Sequence, residues 1–146
     1  MKRKTSLEIV RKELPNLDVL RLKGSLTFGE PDLIFRTEVD RTINRGKCRL
    51  VVDLEDLKTI DAIGCGTLLA VEKELRTLGG GLALVHLASD RFDPVQVERI
   101  ESVLEPFDIE QEAIESFFSH HRVKHYDILD VIRSHQLDQK AFEAER

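Results

Sequence analysis

The stretch CRLVVDLEDLKTIDAIGCGTLLAVEKELRTLGGGLALVHLA, from Cys48 to Ala88, decides the fold of this chain. Arg49 to Leu54 is a short apolar run rich in valine, as expected of a strand covered on both faces. A spacer and a loop carrying Asp61-Ala62-Ile63-Gly64-Cys65-Gly66 follow. Leu68, Val71, Leu75 and Leu78 then recur at three- and four-residue steps, which puts them on one stripe of an amphipathic helix. Gly79, Gly80 and Gly81 stand where a left-handed cap is needed, and Leu82 to Leu87 returns as a second buried strand. This is a βαβ unit, and its crossover is expected to be right-handed.

The unit resembles the STAS domain, a module of sulfate-transporter tails and bacterial anti-sigma factor antagonists. The likeness rests on VVDL (Val51–Leu54), then I-D-x-x-G-x-G-x-L from Ile60 to Leu68, then GGGLALV from Gly79 to Val85. The resemblance implies that the residue after the aspartate is the phosphoacceptor position, usually a serine or threonine whose phosphorylation switches partner binding off. Here that position is Ala62, which has no hydroxyl. Thr59 and Thr67 are the neighbouring hydroxyls, and nothing in the sequence sets them apart from ordinary solvated or capping threonines.

Outward from the unit, Leu7–Arg11 and Leu17–Lys23 are strand candidates separated by the turn signal Pro15-Asn16. Pro31 suits the first turn of a helix reaching about Asn44, with Phe35, Val39 and Ile43 on its stripe and Gly46 closing it. Asp93-Pro94 opens another helix, with Val97, Ile100 and Leu104 as its buried stripe and Pro106 as its stop. Phe107-Asp108-Ile109 reads as a very short last strand. A helix over Glu110–Ser119 follows, burying Ile114, Phe117 and Phe118. The order β-β-α-β-α-β-α-β-α predicts the α/β class. The STAS resemblance adds a small mixed, mostly parallel sheet with helices packed largely on one face. It covers roughly Leu7–Phe118, so the expected division is a STAS domain over residues 1–119 and a C-terminal helical extension over 120–146. In the extension, Tyr126, Ile128, Leu129 and Ile132 form an apolar patch suited to docking on the domain or to a homodimer contact.

A chain of 146 residues, 41% of them hydrophobic, holds one ordinary core. Twenty-two Lys and Arg against 27 Asp and Glu give a net charge of −5 with both signs interspersed, which argues against a nucleic-acid surface. No apolar run approaches the ~18 residues of a membrane span, so direct membrane insertion is not expected. The basic start, Met1–Ser6, is not followed by a secretory apolar region. Two cysteines, Cys48 and Cys65, make no disulfide framework, and a cytoplasmic location is expected.

Cys65 at a helix start suits a redox thiol, but a small buried hydrophobe is the simpler role. Gly64-x-Gly66 suggests a dinucleotide fingerprint with Asp90 as ribose partner. However, Leu69 occupies the third glycine position and Glu55–Ile60 separate the strand from the glycines. His121 and His125, four apart and near Asp127, have a chelating spacing without a completing motif. His86 reads as a satisfied core histidine, and Asp53, Glu55 and Asp56 as a solvated loop. No catalytic residue, metal or cofactor is expected. The resemblance implies a non-enzymatic bacterial transcription regulator of the anti-sigma factor antagonist type. Its partner would be an anti-sigma factor of the serine-kinase type, captured through Asp61, Ala62, Ile63, Gly64, Cys65 and Gly66 and the following helix. The alternatives are a STAS subunit of an ABC-type membrane transport assembly and a nucleotide-binding module.

Overall fold

Alternating apolar residues build the sheet from an N-terminal hairpin outward. The structure, a computed structural model, describes residues 7–88 and 90–118. β1 (Leu7–Glu13) and β2 (Asp18–Leu26) pair antiparallel, and Leu20 and Leu22 bury one face of β2. α1 (Glu30–Asn44) leads to β3 (Arg49–Ile60), α2 (Ala62–Thr77) to β4 (Gly81–Val85), and α3 (Pro94–Glu101) to a two-residue β5 (Pro106–Phe107). α4 (Glu110–Ser116) follows. The five strands lie in the order β1-β2-β3-β4-β5, with every pairing after the hairpin parallel. This is the expected class, element order and mostly parallel sheet.

α1, α2 and α3 cover one face of the sheet. Leu20, Leu22, Leu26, Leu50, Val52, Leu82 and Leu84 meet Phe35 and Val39 of α1, Leu68, Val71 and Leu75 of α2, and Val97 and Ile100 of α3 in one cluster. Burial of each such large side chain is worth about 1.5–3 kcal/mol, so this face dominates the stability. α4 starts on the opposite face, where Glu110 pairs with Lys12 at 2.5 Å and Arg21 at 3.6 Å.

The longest departure from expectation is β3. Glu55–Ile60, expected as a spacer, continues the strand to 12 residues. Its pairing with β2 slips twice, from Arg21↔Asp53 to Lys23↔Asp56 and from Gly24↔Leu57 to Ser25↔Thr59. Each slip inserts an extra residue and returns the next apolar side chain to the same face. Leu54, Leu57 and Ile60, three apart, therefore all join the helix-covered core.

Smaller differences have local causes. α2 stops at Thr77, so Leu78 sits at its C-cap and is exposed, while Gly79 takes the left-handed conformation at φ 97°. On α1, Thr42 is buried and Ile43 only half-buried, because Thr42 answers to a polar cluster below the sheet. There Asp18, fully buried, accepts from Arg11 (2.5 Å), Thr42 (2.9 Å) and Lys47 (2.8 Å). Pro106 pairs in β5 rather than merely ending α3. In α4 the buried residues are Ala113 and Ser116, Ile114 is half-buried, and Phe118 beyond the helix is exposed. The chain divides into two compact units, Met1–Ile114 and Glu115–Arg146. The expected extension and its apolar patch lie outside the described residues.

Candidate functional site

Because β2, β3 and β4 run parallel, the helices that follow them all begin at the same edge of the sheet. In open α/β sheets that edge, beyond the carboxyl ends of the strands, is where ligands and partners are usually met. Asp61 organises it. It is the N-cap of α2, with its Oδ1 accepting from the Gly64 N–H at 2.8 Å. Its Oδ2 accepts from the Phe28 N–H at 2.9 Å, fixing the β2–α1 loop to the start of α2. One carboxylate thus joins two helix entries.

The residues after Asp61 divide by face. Ala62 and Ile63 point outward, and the Ala62 carbonyl accepts from Arg99 of α3 at 3.4 Å. Gly64 points inward, and a Cβ there would lie 2.1 Å from the Leu26 carbonyl oxygen. The end of β2 and the first turn of α2 can approach this closely only with glycine. Gly66 faces α3, where a Cβ would lie 3.8 Å from Arg99 Nη2, an ordinary contact. Asp61–Gly66 is therefore a helix cap and first turn rather than a free loop.

Cys65 is buried, with its thiol facing the Gln96 carbonyl oxygen at 3.7 Å. Burial pushes that thiol's pKa up, and the nearby Arg99 offsets this only in part. This opposes the lowered pKa a redox-sensing thiol needs. Thr67 is also buried. Its hydroxyl bonds to the Asp32 carboxylate and to the Ile63 carbonyl at 3.1 Å, and Arg36 donates to it at 3.2 Å. Thr59 is exposed and donates its hydroxyl proton to Ser25 Oγ at 2.7 Å.

Sequence reasoning missed the apolar surroundings of this cap. Phe28, Leu33 and Val95 are 76%, 65% and 63% exposed, and Ile63 is 48% exposed. They stand in the loop before α1 and in the first turns of α1, α3 and α2. The exposed large hydrophobics of three helix starts thus share one edge with Asp61. Leu33 is three residues into an amphipathic helix, and its place off the Phe35–Val39 stripe was the available signal.

The glycines do follow their strand directly, since β3 runs to Ile60. The space beside Gly64, however, is filled by the Leu26 backbone and cannot cradle a pyrophosphate. Asp53 is not in a solvated loop but buried within β3. His86 is not a core residue: it lies just past β4, half-buried, at φ 64°, with Nδ1 2.9 Å from Asp53 Oδ1. The register places Val85 opposite Asp53, so the turn after β4 swings His86 back toward that carboxylate. Asp90 stands in the turn before α3 and is exposed, and His121, His125 and Asp127 lie outside the described residues.

The STAS domain family model matches residues 8–113. Among solved structures, the chain is similar to a proposed anti-sigma factor antagonist of Thermotoga maritima. The identity is 20% and the TM-score 0.67, over 76% of this chain and 95% of that one. It is similar to the anti-sigma factor antagonist SpoIIAA in its unphosphorylated form, at 21% identity and TM-score 0.61 over 75% and 96% of the two chains. SpoIIAA, a Bacillus cell fate determinant, is also known in a phosphorylated form. A third likeness is to a murine anion transporter of the solute carrier 26 family, at 16% identity and TM-score 0.56, over 72% of this chain and 18% of the transporter. No curated protein matches. At these identities the structural likenesses establish the fold.

Proposed function

The chain belongs to the STAS domain family, and from that membership we propose that it is a non-enzymatic regulator of the anti-sigma factor antagonist kind. It acts in a bacterial cytoplasm by capturing an anti-sigma factor of the serine-kinase type, which frees a sigma factor for transcription. The contact surface is the outward side of Asp61–Gly66, above all Ile63, with the first turn of α2. The observation that carries this reading is the exposed apolar rim of Phe28, Leu33, Ile63 and Val95 around the Asp61 cap. Large exposed apolar residues gathered at one edge mark a surface for a protein partner.

Binding is constitutive with respect to position 62. A phosphoryl group there would add about −1.5 to −2 charges, and Ala62 cannot carry one. Thr67 does not replace it, because its hydroxyl is buried and engaged by Asp32. Incubation with the partner kinase and ATP, followed by peptide mass spectrometry, is expected to find no phosphate that abolishes binding.

The decisive experiment is Ile63→Glu. A charge placed at a desolvated apolar contact costs about 2 kcal/mol or more, roughly 30-fold in Kd. Because Ile63 is about half exposed, the melting temperature should barely move. Unchanged affinity for the anti-sigma factor would remove Ile63 from the interface.

A second reading is a STAS subunit of an ABC-type transport assembly; the likeness to part of an anion transporter shows only that a transport protein can carry this fold. Among the described residues no helix is long and apolar enough to cross a membrane. Affinity purification separates the two: a kinase-type ATPase supports the first reading, a transport ATPase the second.

A further inference from the structure

We propose that Asp53, Glu55 and His86 form a binding site for a divalent first-row transition metal ion. Each offers one ligand atom, and the three atoms lie within 4.8 Å of one another. They come from two places in the chain. Asp53 and Glu55 lie two apart on β3, and His86 lies in the turn just after β4. The Arg21↔Asp53 to Lys23↔Asp56 bulge falls across Glu55, and bulges commonly re-aim a side chain beside a site.

The three ligand atoms converge on one spot. His86 Nδ1 and Asp53 Oδ1 are 2.9 Å apart. That is the length of a hydrogen bond between the two groups. The imidazole nitrogen suits a transition metal, and the two carboxylates are also ligands that manganese accepts. Asp53 is buried and oriented by the Glu55 N–H, which donates to its Oδ1 at 2.9 Å. His86 is half-buried and Glu55 exposed, so the outer positions are open to water and to the entering ion.

Two cations stand nearby, and neither fills the site. Arg21 approaches the other carboxylate oxygen, Asp53 Oδ2, at 3.5 Å, and also faces Glu110 at 3.6 Å. Arg91 donates to the backbone carbonyls of Glu55 (2.5 Å), Leu54 (2.9 Å) and His86 (3.3 Å). In the metal-free protein the His86 ring proton bridges to Asp53. The ion replaces that proton and brings in Glu55, tying β3 to the turn that leads into α3. The site lies on the strand face away from the α1–α3 core and does not depend on the partner-binding reading.

Mn²⁺ is the probe, used on the full chain with His120, His121, His125 and His135 changed to Asn so that His86 is the sole histidine. Free Mn²⁺, followed by electron paramagnetic resonance, should show about one ion bound per chain, with a raised melting temperature at saturation. His86→Asn or Glu55→Gln, added singly, should weaken binding at least about tenfold. Asparagine tolerates the positive φ at position 86, and Glu55 is exposed, so both variants should fold. No binding by the parent chain at millimolar Mn²⁺, or affinity unchanged in both variants, would overturn the proposal.

Discussion

At the scale of residues, two glycines in one helical turn answer to different constraints. A Cβ at Gly64 would sit 2.1 Å from a backbone oxygen, whereas at Gly66 the nearest atom is the end of an arginine 3.8 Å away. Gly64→Ala must therefore push α2 off β2, an expected loss of about 2–4 kcal/mol. Gly66→Ala should stay within about 1 kcal/mol of the parent, since alanine also favours the helix. Urea unfolding followed by circular dichroism measures both, and equal effects would contradict the packing. Asp18 gives a pH-dependent counterpart. Burial raises its pKa, but hydrogen bonds from Lys47 and Thr42 and the charges of Lys47 and Arg11 outweigh this and leave it below the ordinary value. A depressed carboxylate stabilises the fold fully above its unfolded pKa, and that stability is lost as pH falls through the folded pKa. The parent chain should therefore lose stability below about pH 4. Asp18→Asn should cost about 1–3 kcal/mol at neutral pH, because Arg11 and Lys47 lose their buried charge partner and keep only Glu38 and Glu13, and should show a shallower acid loss. Parallel acid profiles would show that Asp18 does not carry the effect.

At the scale of elements, the start of α2 and the loop before α1 behave as one piece because Asp61 holds both. Asp61→Ala removes an N-cap, worth about 1 kcal/mol, and also releases the Phe28 amide. Amide hydrogen exchange should speed up at Gly64 and Phe28, while Leu50–Leu54 and Leu82–Val85 stay protected. Acceleration spread evenly over the chain would mean global destabilisation instead. The strongest sequence signals were also at this scale. The Leu68–Val71–Leu75 stripe, the glycine stop and the Asp93-Pro94 start are all local, and each emerged where expected. β3 was only half legible. Leu54, Leu57 and Ile60 recur every three residues, which matches neither the twofold period of a regular strand nor a stripe long enough for a helix. Two bulges reconcile that spacing with the sheet, and a bulge depends on the neighbouring strand.

At the scale of the whole molecule, every residue of the helix-covered cluster falls between Leu7 and Leu104. Removing 120–146 should therefore leave cooperative unfolding in residues 1–119. If the tail's apolar patch joins two copies, sedimentation should show weaker self-association in the short form. Non-cooperative melting of the short form would make the tail part of the domain. What the sequence alone determined is what depends on near neighbours: the order of elements, the caps and stops, and the missing hydroxyl at Ala62. The tertiary structure decided what depends on residues arriving from elsewhere. Asp53 and His86, 33 positions apart, changed from solvent-facing loop and core residue into a buried carboxylate and its partner once β3 and β4 paired. Likewise, Phe28, Leu33, Ile63 and Val95 share a surface only because three parallel strands deliver three helix starts to one edge. Local spacing marks a residue as apolar, but only the assembled sheet determines whether anything covers it.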